Sequence, residues 1–233
     1  MCFSLLFMYF SFCNGFYVPG VAPVEFANGN PVEVKAVKMT SSITQLPYDY
    51  YSLNFCKPIN GTVYKTENLG EILRGDRIVN TAYDVFMNQA VPCQLLCNSK
   101  KTPMIWNEKD SNHAIDMIKR DYYVHLNVDN LPCATTFDHL ETGEPVYERG
   151  YRLGYVLEEN VFIHNHLNFI LSYHTEDKKH MKIVRFEVEA QSVSLMDLQS
   201  DGKTCSIPTK YTPQKLNPTG KILLLQHLFM GLI

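Results

Sequence analysis

Residues Asn160–His174 read NVFIHNHLNFILSYH, and Lys182–Val193, shortly after them, read KIVRFEVEAQSV. In the first stretch Ile163, Leu167, Phe169, Leu171 and Tyr173 fall on one face at a period of two. In the second, Val184, Phe186 and Val188 share a face. A period of two places one face on a core and the other toward water, the mark of a half-buried strand. Two such strands, separated by polar turn residues, point to a mainly β chain built as an antiparallel β-sandwich.

The rest of the chain extends that reading. "VEVKAVKMTS" alternates at Val32 and Val34 and then slips at Ala36 and Val37, so a strand with a bulge is expected there. "YDYYSLNFC" and "TAYDVFMN" read as strands, and "YYVHLNVD" places Val124, Leu126 and Val128 on one side. "NLP" turns the chain, and "CATTF" is expected to return as a hairpin. "HLETGEPVYERGYRLG" reads as a loop and a short strand. One helix is predicted over Asp110–Lys119, capped by Asp110 or Ser111, with Ala114, Ile115 and Ile118 on its apolar face. A single helical turn is predicted in "ENLGEILRG", ending at Gly75.

The chain has 233 residues, a net charge of -3 and 45% hydrophobic residues, enough for one domain with a substantial core. No cluster of Lys and Arg suits a phosphate backbone, so a nucleic-acid partner is not expected. At the N-terminus an uncharged apolar run from Phe3 to Phe12 is followed by Cys13, Asn14 and Gly15, the pattern of a signal peptide over 1–15. Residues 16–220 are then expected to form the domain, and 221–233 an apolar tail. Ile222–Ile233 carries no fixed charge, but its length falls short of the roughly 20 residues needed to span a bilayer.

Cys56, Cys93, Cys97, Cys133 and Cys205 remain after the signal, an odd number, so one thiol is left over. "CQLLC" lacks the two-residue spacing of redox or zinc pairs, and a bridge within so short a loop would constrain the unfolded chain little. Long-range pairings Cys56–Cys97 and Cys93–Cys205 are therefore expected. Asn60, in "NGT", is an acceptor for N-glycosylation within a polar turn.

Two further patterns bear on chemistry. His164, His166 and His174, with Asn168 and Ser172, occupy the strand face opposite the core. His-x-His suits a metal, but no Cys or carboxylate stands at a spacing to complete a site. The pattern reads as a solvated polar face, with a partner or pH-sensitive surface as its functional alternative. Arg74, Gly75 and Asp76 form an R-G-D triplet beside a strand. The expectation is that Arg74, Asp76 and Arg77 tie a loop to the sheet through hydrogen-bonded charges. Nucleophile elbows, phosphate loops, dinucleotide fingerprints and zincin helices are absent from the sequence, so no catalytic residue and no cofactor is expected.

"FYVPGVAPVEF", "SSITQLPYDYYSLNFCKP", "ENLGEILRGDRIVNTAYDVFMN", "DYYVHLNVDNLP", "YERGYRLGYV", "HNHLNFILSYH" and "VRFEVEAQSV", read together, resemble the transmembrane nine superfamily (nonaspanins), in its member-four-like branch. The resemblance implies a luminal β-rich domain placed before nine membrane helices. It implies residence in Golgi and endosomal membranes, a lumenal or secreted location for this chain as written, and a role in sorting membrane-protein cargo, with adhesion and phagocytosis also found in the family. It implies no catalytic residue. Cys56, Cys93, Cys97 and Cys205 match the family's luminal cysteines. Cys133 departs from the pattern and reads as a small buried hydrophobe. The likeness stops near Gly220, so the chain is expected to be truncated before the membrane helices. A reading from another class is a secreted sandwich that binds glycans or another ligand by itself; a zinc hydrolase is a third.

Overall fold

The computed structural model describes residues 23–65, 73, 76–90, 93–96, 106–175, 180–197, 199–200 and 205–218. The expected signal over 1–15, Cys97, the apolar tail and all of the predicted helical turn except Leu73, which is helical, lie outside them. In chain order the elements are β1 (Pro31–Ser41), β2 (Tyr64–Lys65), β3 (Ile78–Phe86), α1 (Glu108–Lys119), β4 (Tyr122–Val128), β5 (Leu131–Pro132) and β6 (Ala134–Asp138). They continue with β7 (Pro145–Arg149), β8 (Tyr151–Arg152), β9 (Gly154–Leu157), β10 (Asn160–Ile163), β11 (His166–Thr175), β12 (Met181–Gln191), β13 (Gln199–Ser200) and β14 (Cys205–Ser206).

Two sheets carry the core. One has the order β2-β3-β1-β4-β5, with β8 also beside β4; the other has the order β11-β12-β6-β7. Pairing is antiparallel except between β6 and β12, which run parallel through Ala134 and Glu187. Side chains from both sheets form one cluster, including Val34, Met39, Val124 and Leu126 from the first and Phe169, Leu171, Phe186 and Val188 from the second. The expected sandwich-like, mainly β architecture is what the chain adopts.

The sequence patterns explain most of this and miss at identifiable places. The slip at Val37 is a bulge: Ala36 pairs with Leu126 and Lys38 with His125, leaving Val37 as the extra residue. A second bulge overturns the grouping of Val184 with Phe186. Ser172 pairs with Arg185 and Tyr173 with Ile183, so Val184 is skipped and is 56% exposed, while Met181 and Ile183 take the inward positions. "YDYYSLNFC" is not a strand: it holds a 3-10 turn, Tyr50–Ser52, and its aromatics fill the core from a loop, Tyr50 stacking on Phe55 at 4.6 Å.

Helix α1 begins earlier than predicted. Asn107 caps it, its side chain accepting from Asp110 N at 2.9 Å, and Glu108 and Asp110 stand in the first turn, where the helix dipole favours them. The buried face is Ser111, Ala114, Met117 and Ile118, and Ile115 is only half-buried. Trp106, just before the cap, is buried and donates Nε1–H to Asn54 O at 2.8 Å, fixing the helix start to the aromatic loop.

"CATTF" does not close the predicted hairpin. β4 turns through Asp129 and Asn130, both at positive φ, and returns as β5 alone. Cys133 then carries the chain into the other sheet, and Gly150 brings it back to β8 beside β4. The crossings are stitched together: Cys133 N donates to Leu126 O and Gly150 N to Cys133 O, each at 2.9 Å. Gly150 has φ +85°, and a Cβ there would lie 2.7 Å from Val124 O, so only glycine fits.

Candidate functional site

The histidines are dispersed by the fold. His164 falls between β10 and β11 and is half-buried. Its Nδ1 lies 2.7 Å from Arg152 O, its ring packs near Tyr155, and burial lowers its pKa. His166 opens β11 and is buried, 4% exposed, whereas His174 near the other end is exposed. The expected solvated face carrying His164, His166 and His174 is therefore not a single surface. Ser172, expected on the same face, is buried as well.

The residue between the two histidines is the one the fold uses most directly. Asn165 is buried and bonds the backbone of Val193 in both directions. Its odd position places it in line with Leu167 and Phe169, on the core side. A polar side chain at a core position was the legible signal, because such a group requires hydrogen-bond partners.

A second polar cluster surrounds the β1–β4 bulge. His125 Nε2 lies 2.7 Å from Thr40 Oγ1. Burial lowers the His125 pKa to about 4, with the charges of Arg149 and Lys38 acting in the same direction and Asp76 opposing them. Nearby, the Lys38 ammonium pairs with the Asp76 carboxylate. Asp76 is 7% exposed, so the acid of the R-G-D triplet faces the protein, and Arg77 lies 3.6 Å from Asp49. The Lys38–Asp76 pair is an expected tie between loop and sheet, whereas among the described residues Arg77 makes only an exposed ion pair with Asp49 of another loop; Arg74 and Gly75 lie outside those residues.

Between the sheets, the phenols of Tyr50 and Tyr83 meet at 3.3 Å, and Tyr151 packs close by. Burial raises all three pKa values. The Cys133 thiol is free and buried, accepts from Leu126 N at 3.3 Å, and is pushed up to about 12 by burial. A thiol so placed is protonated at neutral pH and is a poor nucleophile. Its expected role as a small buried hydrophobe agrees with this position, although it joins two strands at the crossing and does not lie within one. Among the described residues no carboxylate is hydrogen-bonded to His125 to orient it, and burial above all holds it neutral. These groups brace the interior.

Among the described residues, no group of three or more His, Cys, Asp or Glu side chains is arranged to hold a metal ion. No helix among them is long and apolar enough to cross a membrane. Cys93 and Cys205 form the expected long-range disulfide, with Cα atoms 4.9 Å apart and a separation of 112 residues. Cys56 is also disulfide-bonded, but its partner is not among the described residues. Asn60 is exposed on the turn before β2.

Residues 47–222 match the family described as Endomembrane protein 70. The chain belongs to this family. It is 47% identical over 232 residues to "Transmembrane 9 superfamily member 4" of Homo sapiens, covering 92% of this chain and 36% of that protein. It is 40% identical over 203 residues to "Transmembrane 9 superfamily member 8" of Arabidopsis thaliana, covering 82% and 30%. It is 35% identical over 182 residues to "Transmembrane 9 superfamily member 3" of Saccharomyces cerevisiae, covering 75% and 24%. The chain therefore spans about a third or less of the length of these curated relatives. No solved structure matches it significantly. The Endomembrane protein 70 family is not a known enzyme family, and its description agrees with a place in the secretory pathway.

Proposed function

We propose that this β domain is a non-catalytic recognition module on the luminal or extracellular side of endomembranes, where it engages other membrane proteins during their sorting. The observation that carries the reading is family membership: 47% identity over 92% of the chain to a transmembrane 9 superfamily protein. The Cys93–Cys205 disulfide supports it, since structural disulfides persist in oxidising compartments. The buried Cys133 thiol supports the non-catalytic part, because burial keeps it protonated and a poor nucleophile. The cargo is a membrane protein with a luminal or extracellular portion, and Golgi and endosomal membranes are the place of action.

The test is replacement of this domain, within the protein that carries it, by an unrelated β-sandwich. Surface biotinylation of membrane proteins is then compared in cells holding either form. The expected outcome is a defined set of membrane proteins lost from the surface in the replaced form. An unchanged surface profile, with the replaced protein correctly folded and located, would overturn the reading.

A further inference from the structure

We infer that Asn60 carries an N-linked glycan and that this glycan shields the β2 edge of the larger sheet. The inference rests on the luminal reading above and extends it to a modification site. Asn60-Gly61-Thr62 is the only acceptor triplet in the chain, since Asn217-Pro218-Thr219 is excluded by its proline. The fold presents it at the tip of a turn. Gly61 N donates to Pro58 O at 3.0 Å, and Gly61 has φ +85° with open space beside its Cα. Asn80 on β3 holds both Gly61 and Val63: its Oδ1 accepts from Val63 N at 2.6 Å and its Nδ2 donates to Gly61 O at 3.2 Å.

The turn is thus secured by Asn80, while the exposed Asn60 amide secures nothing. Modifying it breaks no hydrogen bond among the described residues. In the transfer step the Asn60 Nδ2 bonds to the anomeric carbon of a lipid-linked oligosaccharide. The lipid pyrophosphate leaves, and one amide proton passes to solvent.

The surroundings give the sugar a role. Among the described residues, β2 is the outermost strand of its sheet and pairs with β3. Ile59 is fully exposed, Val63 is 49% exposed and Tyr64 is 52% exposed. An outermost strand flanked by apolar side chains is a template for pairing with another copy. A hydrated glycan rooted four residues before Tyr64 occupies the space such a copy would need.

The test expresses the full chain in cultured eukaryotic cells and treats it with peptide:N-glycosidase F. The wild type is expected to gain mobility by one step. Asn60→Gln and Thr62→Ala are expected to run at that position without treatment, and Thr62→Ser to behave as wild type. Leu140→Asn serves as the control, because Leu140 is fully exposed and the change creates an acceptor with Glu141 and Thr142. If that variant shifts and the wild type does not, the Asn60 assignment is overturned and the luminal reading stands. If neither shifts, the luminal reading is overturned and the assignment with it. The shielding role predicts concentration-dependent self-association of purified Asn60→Gln in light scattering, reversed by adding Tyr64→Lys. A monomeric Asn60→Gln at the same concentrations overturns that role.

Discussion

Asn165 and Val193 are joined by two hydrogen bonds, from the Asn165 Nδ2 to Val193 O and from Val193 N to the Asn165 Oδ1, each 2.8 Å long. A side-chain amide thus continues the β11–β12 ladder past its first pair, His166 with Gln191. Asn165→Ala would leave two buried backbone groups unpaired, at a cost of about 2–4 kcal/mol. Asn165→Asp keeps the shape but loses the donor, and is expected to be comparably destabilising. The midpoint of urea unfolding measures both changes. A loss below about 0.5 kcal/mol, the level of an ordinary surface change, would contradict this role.

Asp76 is expected to act as a structural acid and to take no part in adhesion. Asp76→Ala removes the partner of Lys38, whose side chain is 29% exposed and so keeps some hydration. The expected cost is about 1–3 kcal/mol. Asp76→Glu destroys the triplet while keeping the charge, and should leave cell attachment to the purified protein unchanged. Attachment that is competed by an R-G-D peptide and lost in Asp76→Glu would count against this assignment.

His125 makes the fold acid-sensitive. Its folded pKa is lowered to about 4, against about 6.5 in the unfolded chain. Above pH 6.5 both states hold it neutral, and it adds no pH dependence. As pH falls from 6.5 toward 4, the unfolded chain takes up the proton and the folded one does not, so stability is lost across that window. Below 4 both states are protonated and the loss levels off. Its upper size is about 3 kcal/mol, reduced by the ring's partial contact with solvent. Unfolding of the wild type and of His125→Gln between pH 7 and pH 4 separates this component, and equal slopes would refute it.

The cysteines should sort by chemistry under non-reducing conditions. A peptide map is expected to contain a Cys93–Cys205 linked peptide, and a Cys93–Cys97 linked peptide would contradict the structure. Closing a loop of that size corresponds to about 4–5 kcal/mol in the chain-entropy account, so Cys93→Ala with Cys205→Ala should lower stability by a few kcal/mol. In the native protein Cys133 should resist iodoacetamide at pH 8, because a pKa of about 12 holds its thiolate fraction about three orders of magnitude below that of a free cysteine. It should react at once in denaturant.

The sequence by itself determined the class of fold and much of its interior. Period-two alternation marks β3, β4 and β11 because a strand must turn every second side chain toward the core. The slip at Ala36 and Val37 announced a bulge for the same reason, and the cysteine spacings led to the Cys93–Cys205 bridge. The likeness of the chain to its family was also legible in its own residues.

Only the tertiary structure decided where polar groups would lie. The bulge at Val184 was hidden because alternation continued through it in the sequence, and only the register against β11 showed the skip. His164, His166 and His174 share a parity, yet burial depends on what packs against each residue, and that separates them. "CATTF" left β4 for a hairpin with β7 in the other sheet, where Ala134 also pairs with Glu187 of β12, more than fifty residues away in the chain. His125, Asp76 and the tyrosines met across the fold through contacts that no local pattern encodes. Local periodicity reports which side chains avoid water, whereas the position of a buried charge or hydroxyl is set by its distant partners.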